Sequence, residues 1–295
     1  MEWVKQRKLP ACKAIQYNGQ PCHQMSELWD ALYNTYNLAS GRGVDLSVLD
    51  LLPTLQERDW PPFFALKLTD ALSSCLSWSS PGLDHITWVH LKAVLEIEKL
   101  VQLLVTLADA CIRVEHWPKH FKDSVSVIIP KPGKPTYSTP KSFRPIVLLN
   151  TVRKLIEKMI SNCLQFNMIK YDLVDPNQVG GVHQCSTEDA GLFLTHLVHT
   201  GWAKRKKTSV LAFDIAQFFP SLNHAMLLAI LHKQGSLSIV ARFFASYLVD
   251  RFTSYLWGSF QYGPHQADVE VGQGLALSPV LLSLYIALVM KLYHM

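Results

Sequence analysis

The chain has 295 residues, of which 49% are hydrophobic and 17% are charged, a composition that excludes a disordered protein. Its formal net charge of +5 is compatible with a nucleic-acid partner but does not require one. The six cysteines stand far apart without a Cys-x-x-Cys pair, so neither a zinc site nor a disulfide framework is indicated. No apolar core of signal-peptide length follows Met1, and the longest apolar stretch, Val280–Met290, is too short to span a bilayer. We therefore expect an intracellular protein that is not secreted and has no membrane partner.

The first part of the chain, residues 1–79, is expected to form a helical, mostly solvent-facing lead-in. Apolar residues at helical spacing predict one amphipathic helix over Ser26–Leu38 and a second helix over Ala65–Leu76. The turn-forming cluster Ser80–Asp84 follows. Apolar residues at helical intervals then predict one long helix over Leu91–Ile112.

A β-hairpin with a basic tip is predicted next. Alternating apolar residues indicate a strand over Ser124–Pro130, the Pro-Gly turn Lys131–Pro135 follows, and a second strand passes through Phe143–Ile146. Lysine offers a point charge and arginine a bidentate fork, so Lys131 and Arg144 on this hairpin suit a triphosphate. The alternative is a solvated basic loop.

The clearest helix covers Asn150–Leu164, with an apolar stripe on one side. Its opposite face carries four charged side chains. These are Arg153, Lys154, Glu157 and Lys158. In the following loop, Gly181 is expected to let the backbone run close to another group, and Ser186 or Thr187 to cap the next helix. The basic run Lys204–Lys207 is typical of a solvated turn, and a nuclear-localisation or nucleic-acid role is the alternative.

The rest of the chain is organised around Ser209–His224. Its apolar run, Val210–Phe213, predicts a short buried strand that delivers one carboxylate, Asp214, at its end. A carboxylate in this position suits a divalent metal, although an Asp that begins a turn or caps a helix is the alternative. Two helices are predicted to follow, over Leu222–Lys233 and Ile239–Leu248.

The last predicted elements are a hairpin, a glycine-rich loop and a helix. The hairpin joins Arg251–Trp257 to Ala267–Val271, and the loop is Gly272–Gly274. Ser278 suits the N-cap of the final helix and Pro279 its first turn. A Gly-x-Gly loop alone is weak evidence for a binding site.

Five segments, in order, resemble motifs of the reverse transcriptases encoded by non-LTR retrotransposons, in their fungal type. The segments are SPGLD (Ser80–Asp84), the hairpin IIPKPGK with SFRPIVLLN (Ile128–Asn150), QVGGVH (Gln178–His183), SVLAFDIAQFFPSLNH (Ser209–His224) and GQGLALSPVLLSLYI (Gly272–Ile286). The resemblance implies an α+β fold with the fingers and an incomplete palm of a right-hand polymerase. Residues 1–79 would be a helical connector, residues 80–208 the fingers-like part and residues 209–295 the incomplete palm.

The resemblance also implies residue roles. Asp214 would be catalytic, and its carboxylate and the carbonyl of Ile215 would bind Mg²⁺. The residues implied in nucleotide binding are Lys131, Arg144, Phe219, Gln273 and Gly274. The residues implied in nucleic-acid binding are Gly180, Gly181, Ser278 and Pro279. The implied partners are an RNA template, a DNA primer and deoxynucleoside triphosphates. Many members have serine where this chain has Leu275, which weakens the expected nucleotide contact there.

The chain lacks the Asp-Asp pair that the family carries on a later hairpin. No Asp-Asp pair occurs in the sequence, and no acidic residue follows Gly274. Two-metal catalysis requires several carboxylates, so we expect this chain alone to be inactive. The alternative is a non-enzymatic nucleic-acid-binding remnant of a retroelement, whereas an unrelated α+β interaction protein would require five chance matches.

Overall fold

The computed structural model of the protein describes residues 14–36, 43–215, 222–267 and 274–294, which form a mixed α+β structure as expected. The strands are β1 (Gln16–Tyr17), β2 (Gln20–Pro21), β3 (Asp123–Pro130), β4 (Phe143–Leu148), β5 (Phe252–Trp257) and β6 (Phe260–Gln266). The α-helices are α1 (Met25–Tyr36), α2 (Ala65–Ser73), α3 (Trp88–Ala93), α4 (Glu98–Arg113), α5 (Thr151–Lys170), α6 (Thr187–Ala203), α7 (His224–Lys233), α8 (Ser238–Leu248) and α9 (Ser278–His294).

The larger sheet has four strands in the order β4-β3-β5-β6. β3 pairs antiparallel with β4, with Ile129 opposite Arg144, and parallel with β5. The predicted β3–β4 hairpin is therefore confirmed. The second hairpin differs from its prediction, because β6 begins at Phe260 and only Ala267 of the expected strand is described. Gly258 has a φ of +61°, which allows a tight two-residue turn directly after β5.

Helix α1 covers one face of this sheet. Its ring of Trp29 lies 4.2 Å from the ring of Tyr255 on β5 and 4.3 Å from that of His265 on β6, between ring centroids. Leu32 on the same helix is fully buried. The predicted amphipathic helix is therefore confirmed, and its apolar face packs against strands that come more than 200 residues later.

The main core lies among the helices. Apolar side chains of α2, α4, α5, α7, α8 and α9 form one continuous cluster, in which Trp117 is fully buried. The ring of Trp117 contacts those of Phe243 and Tyr247 on α8, at centroid distances of 5.7 and 5.4 Å. These contacts confirm that the apolar face of α8 is a core face.

Helix α5 is buried on more than its apolar stripe. Arg153 and Glu157, expected on the exposed polar face, are both fully buried. Their side chains pair with each other, and Tyr247 from α8 also donates to Glu157. The prediction was wrong because α8 and β3 cover this side of the helix and supply polar partners for both charges.

The segment after helix α6 is the largest departure from the sequence prediction. No residue of α6 is buried, and residues 206–215 form no strand. Leu211 and Phe213 are 78% and 86% exposed, so the expected buried strand is not present. A strand needs a neighbour that completes its hydrogen bonds, and no described strand runs beside this segment.

The predicted long helix Leu91–Ile112 is interrupted. Ile97 has an extended backbone, with φ −116° and ψ 94°, between a short 3₁₀ turn and α4. Neither glycine nor proline marks this break, so the sequence pattern could not locate it. No helix among the described residues combines the length and the apolarity needed to cross a bilayer.

Candidate functional site

The tip of the β3–β4 hairpin carries a cluster of positive charges. The Lys131 amine donates to the carbonyl of Lys141 at 2.9 Å, which draws it towards the far side of the tip. Burial, together with the charges of Arg144 and Lys134, lowers the pKa of Lys131. Arg144 itself is exposed on β4. Three mutually repelling cations at one hairpin tip favour binding of a polyanion such as a phosphate chain.

Tyr36, the last residue of α1, supports this hairpin. Its hydroxyl donates to the carbonyl of Phe143, the residue before Arg144, and lies 3.3 Å from the carbonyl of Pro140. The Lys131 amine is 5.6 Å from the centre of the Tyr36 ring. Burial raises the pKa of Tyr36 to about 12, so the hydroxyl keeps its proton. Sequence reasoning missed this residue, because an aromatic at a helix end does not indicate what it contacts.

Gly274 lies against β4, the strand that carries Arg144. Its φ is +103°, and a Cβ at this position would lie 3.3 Å from the carbonyl oxygen of Val147. The next residue, Leu275, is buried against Val147 and Leu149. Leu275 therefore anchors the loop to the sheet.

The two segments predicted to bind nucleic acid lie against each other. The backbone of Gly181, with φ +75°, approaches the first turns of α9 so closely that a Cβ would clash with Ser283 Oγ. Ser283 Oγ donates to the carbonyl of Pro279 at 2.9 Å and lies 3.2 Å from the carbonyl oxygen of Gly180. Ser278, at the start of α9, is fully buried. The expected close approach at Gly181 is therefore confirmed, and its neighbour is α9.

Asp214 and Ile215 are exposed at the end of the segment 206–215, which forms no strand. Among the described residues, no hydrogen bond or ion pair joins Asp214 to the hairpin or to α9. No three His, Cys, Asp or Glu side chains in the described part of the chain could hold a metal ion together. Asp214 alone does not fit a two-metal site, which requires several carboxylates.

Two predicted nucleotide-binding residues, Phe219 and Gln273, lie outside the described residues. The other predicted site residues lie on segments that contact one another in turn, and we call this series of contacts the connected path. Arg144 and Val147 share β4, Gly274 packs on Val147, and α9, which begins four residues after Gly274, packs on Gly181. The structure thus brings the basic hairpin and the glycine loops together, whereas Asp214 has no described contact with them.

Comparison with known proteins identifies one matching family. The model of the family described as reverse transcriptase (RNA-dependent DNA polymerase) matches residues 129–295. The match includes the hairpin tip, the loop of Gly180 and Gly181, and α9.

Three curated relatives are similar over longer or shorter parts of the chain. A probable RNA-directed DNA polymerase from transposon BS of Drosophila melanogaster is 30% identical over 250 residues, which cover 81% of this chain and 26% of the relative. The corresponding protein from transposon X-element of Drosophila melanogaster is 26% identical over 293 residues, 96% of this chain and 32% of the relative. A retrovirus-related Pol polyprotein from type-1 retrotransposable element R1 of Bradysia coprophila is 29% identical over 147 residues, 50% of this chain and 14% of the relative. The chain thus spans about a quarter to a third of the two Drosophila proteins.

Proposed function

Since this chain belongs to the reverse transcriptase family, in the form encoded by non-LTR retrotransposons, we propose that it supplies the nucleotide-binding and template-binding surfaces of an RNA-directed DNA polymerase. In this proposal residues 80–208 are the fingers-like part, residues 209–295 an incomplete palm and residues 1–79 a connector. The observation that carries the proposal is the connected path from Arg144 through Gly274 to Gly181. The fungal type of the element stays a prediction.

The nucleotide side of the proposal rests on the hairpin tip. Lys131 and Arg144 would bind the phosphates of a deoxynucleoside triphosphate, because both lie in a cation cluster that Tyr36 supports. Phe219 would pack under the sugar, where a rigid ring would exclude a 2′-hydroxyl. Gln273 and Gly274 would line the same nucleotide.

The nucleic-acid side rests on the loops beside α9. Gly180 would approach the RNA template closely, since nothing lies within 4 Å of the place where its side chain would stand, and Gly181, whose missing side chain faces α9, would offer its backbone to the same strand. Ser278 and Pro279 would hold the start of α9 against this loop. The DNA primer would enter with the template as a hybrid, and binding would depend on salt through its phosphates.

The metal side of the proposal is limited to Asp214 and Ile215. The carboxylate and the carbonyl are oxygen ligands that suit one Mg²⁺ ion, which keeps several waters. When bound, a pair of such ions would activate the attacking oxygen and stabilise the leaving one. The described residues do not supply the further carboxylates for that pair, so the proposal assigns no catalytic step to them.

Binding of a labelled RNA–DNA hybrid at increasing potassium chloride tests the polymerase proposal. The logarithm of the affinity should fall linearly with the logarithm of the salt concentration, and each phosphate contact should add about −0.9 to the slope. In a primer-extension assay with Mg²⁺, the 295-residue chain should not exceed an Asp214→Asn control. Binding that does not depend on salt would contradict the nucleic-acid surfaces, and extension above the control would contradict inactivity.

The alternative is a non-enzymatic nucleic-acid-binding remnant of a retroelement. It is favoured by the absence of a metal-ligand cluster among the described residues. Titration with a deoxynucleoside triphosphate separates the two functions. Binding that Lys131→Ala weakens supports the polymerase, whereas hybrid binding without any nucleotide binding supports the remnant.

A further inference from the structure

A tryptophan stands almost entirely in solvent on the loop before Ser80. Trp78 is 93% exposed, and Leu76 on the same loop is 77% exposed. An indole offers a large apolar surface, and burying it against a partner is favourable. We refer to residues 75–80 as the Trp78 loop.

The Trp78 loop is anchored on both sides of the indole. The amine of Lys92 donates to the carbonyl of Cys75 at 2.8 Å and to Ser77 Oγ at 3.1 Å. The amine of Lys154 donates to the carbonyl of Ser80 at 2.6 Å. The exposure of the indole is therefore a property of a held loop, and binding to a held aromatic loses little conformational entropy.

The surroundings of the loop are positively charged. Lys92, Lys154 and Lys158, which we call the loop lysines, all act electrostatically on the half-buried Cys75 thiol. Two acids act on Lys154, namely Asp84 and Glu157, and Glu157 is already paired with Arg153. Of the two acids that act on Lys154, only Asp84 is not paired with another described side chain, and three lysines around one loop favour an anionic partner.

The chain just after the loop lies beside the proposed nucleotide and template site. Gly82 approaches the chain just after β4, where a Cβ would come within 2.5 Å of the backbone nitrogen of Asn150. Gly274 packs on Val147 of the same strand. Val147 and Asn150 are separated by no more than about 10 Å of extended chain. The segment that directly follows the Trp78 loop therefore meets the site at the end of β4.

We propose that the Trp78 loop binds single-stranded nucleic acid, with a base stacked on the indole and the neighbouring phosphates attracted by the loop lysines. Every base has a flat face that can stack on an aromatic ring, and lysines beside the ring neutralise the backbone. This inference rests on the proposed function, because it assigns an added contact for the strand that enters the same site. The contact tolerates different sequences, since neither group reads the edge of a base.

Fluorescence anisotropy of labelled single-stranded RNA, and of DNA with the same sequence, tests the inference on the full chain. Trp78→Ala should weaken binding by roughly 5- to 150-fold, the range for loss of one stacked base. Trp78→Tyr should retain most of the affinity, because it keeps a stacking ring. Leu76→Ala is the matched control, since it removes another highly exposed apolar side chain of the same loop that has no aromatic ring. Circular dichroism checks that each variant is folded.

A second variant tests the electrostatic part. Lys158→Gln removes one charge without breaking the hydrogen bonds by which Lys92 and Lys154 hold the loop. The slope of the logarithm of RNA affinity against the logarithm of salt concentration should become shallower, by the contribution of about one phosphate contact.

The outcomes distinguish a failure of this inference from a failure of the proposed function. Salt-dependent binding of the wild-type chain that Trp78→Ala leaves unchanged overturns the inference alone. Equal losses from Trp78→Ala and Leu76→Ala also overturn it, because stacking is then not the cause. A wild-type chain that binds no nucleic acid overturns both proposals. A loss confined to RNA or to DNA supports the inference and identifies the strand.

Discussion

Arg153 and Glu157 lie one helical turn apart on α5, fully buried, with Arg153 Nε 2.9 Å from Glu157 Oε1. Tyr247 donates to the same carboxylate oxygen at 3.1 Å, and Arg153 Nη1 donates to the carbonyl of Asp123 on β3 at 3.3 Å. The pair therefore joins α5, α8 and β3. Within the described part of the chain, Arg153 Nη2 and Glu157 Oε2 have no partner, which makes the pair sensitive to the loss of either charge.

The first prediction concerns the loss of one member of this pair. Arg153→Met should lower the free energy of unfolding by about 3–5 kcal/mol, because it leaves the Glu157 carboxylate buried without its counter-ion. The matched control is Arg113→Met in α4. Arg113 forms an i,i+4 pair with Asp109 at the surface, and such a pair contributes about 1 kcal/mol or less. Urea denaturation measures both variants.

The double variant Arg153→Met with Glu157→Leu completes the comparison. Replacing both buried charges by apolar groups should restore most of the stability that the single substitution removes. An Arg153→Met variant as stable as Arg113→Met would show that the buried pair contributes no more than a surface pair.

The second prediction uses two adjacent glycines. Gly181→Ala should destabilise the protein by about 1–3 kcal/mol, because φ is +75° and the added methyl group would clash with Ser283 Oγ. Gly180→Ala is the control, since a Cβ there has nothing within 4 Å. Thermal unfolding compares the two variants. A combined Gly181→Ala and Ser283→Gly variant should recover part of the loss, and equal effects of the two alanine substitutions would contradict the close approach.

The third prediction separates nucleotide binding from nucleic-acid binding. Lys131→Ala and Arg144→Ala should each weaken binding of a deoxynucleoside triphosphate by roughly 10- to 100-fold, through loss of charged hydrogen bonds. Neutralising Lys204–Lys207 should instead weaken binding of an RNA–DNA hybrid. Calorimetry measures the nucleotide and anisotropy the hybrid, with Lys99→Ala, an exposed lysine on α4, as the control. An equal loss of both ligands from Lys131→Ala would contradict the assignment of the hairpin tip.

The fourth prediction is a pH dependence of stability caused by His224. Burial, aided by the charge of Arg251, lowers the pKa of His224 from 6.5 to about 4, and its Nε2 has no described partner. Between these values the unfolded chain binds a proton that the folded chain does not. The contribution of His224 to the free energy of unfolding is therefore fully present above about pH 6.5. It falls as the pH drops towards 4, by on the order of 1–3 kcal/mol.

Urea denaturation at pH 7 and pH 5 checks this effect. His224→Gln stays neutral at both values and should lose less stability on acidification than the wild type. His116→Gln, a change at an exposed histidine, should leave the pH dependence unchanged. A wild-type pH dependence that survives His224→Gln would assign the effect to other groups.

Helical periodicity predicted much of the fold, whereas the partner of each helix was not predictable. The apolar repeats of α5 and α8 indicated both helices and the core face of α8. An arginine and an acidic residue four residues apart on a helix usually form a surface pair, as Arg113 and Asp109 do. The pair Arg153–Glu157 has the same spacing, so its burial follows only from α8 and β3 packing over it.

The candidate site likewise has features that the sequence predicted and features that it did not. The turn chemistry predicted a hairpin with strands on both sides of the turn Lys131–Pro135, and the register of β3 with β4 confirms this pairing. Tyr36 escaped prediction because its contact with the hairpin joins residues 107 apart in the chain. The prediction of a strand before Asp214 was wrong because an apolar run indicates that a segment can be buried, but not that a neighbouring strand is present to pair with it.

The match to the family begins at residue 129, inside β3, and this has a practical consequence for shortened proteins. A chain trimmed to residues 129–295 would keep two residues of β3 and lose the strand that joins β4 to β5. It would also lose α1, whose Tyr36 holds the basic hairpin and whose Trp29 covers the sheet. Homology boundaries and cooperative folding units therefore differ in this molecule, and truncation series should start before Met25.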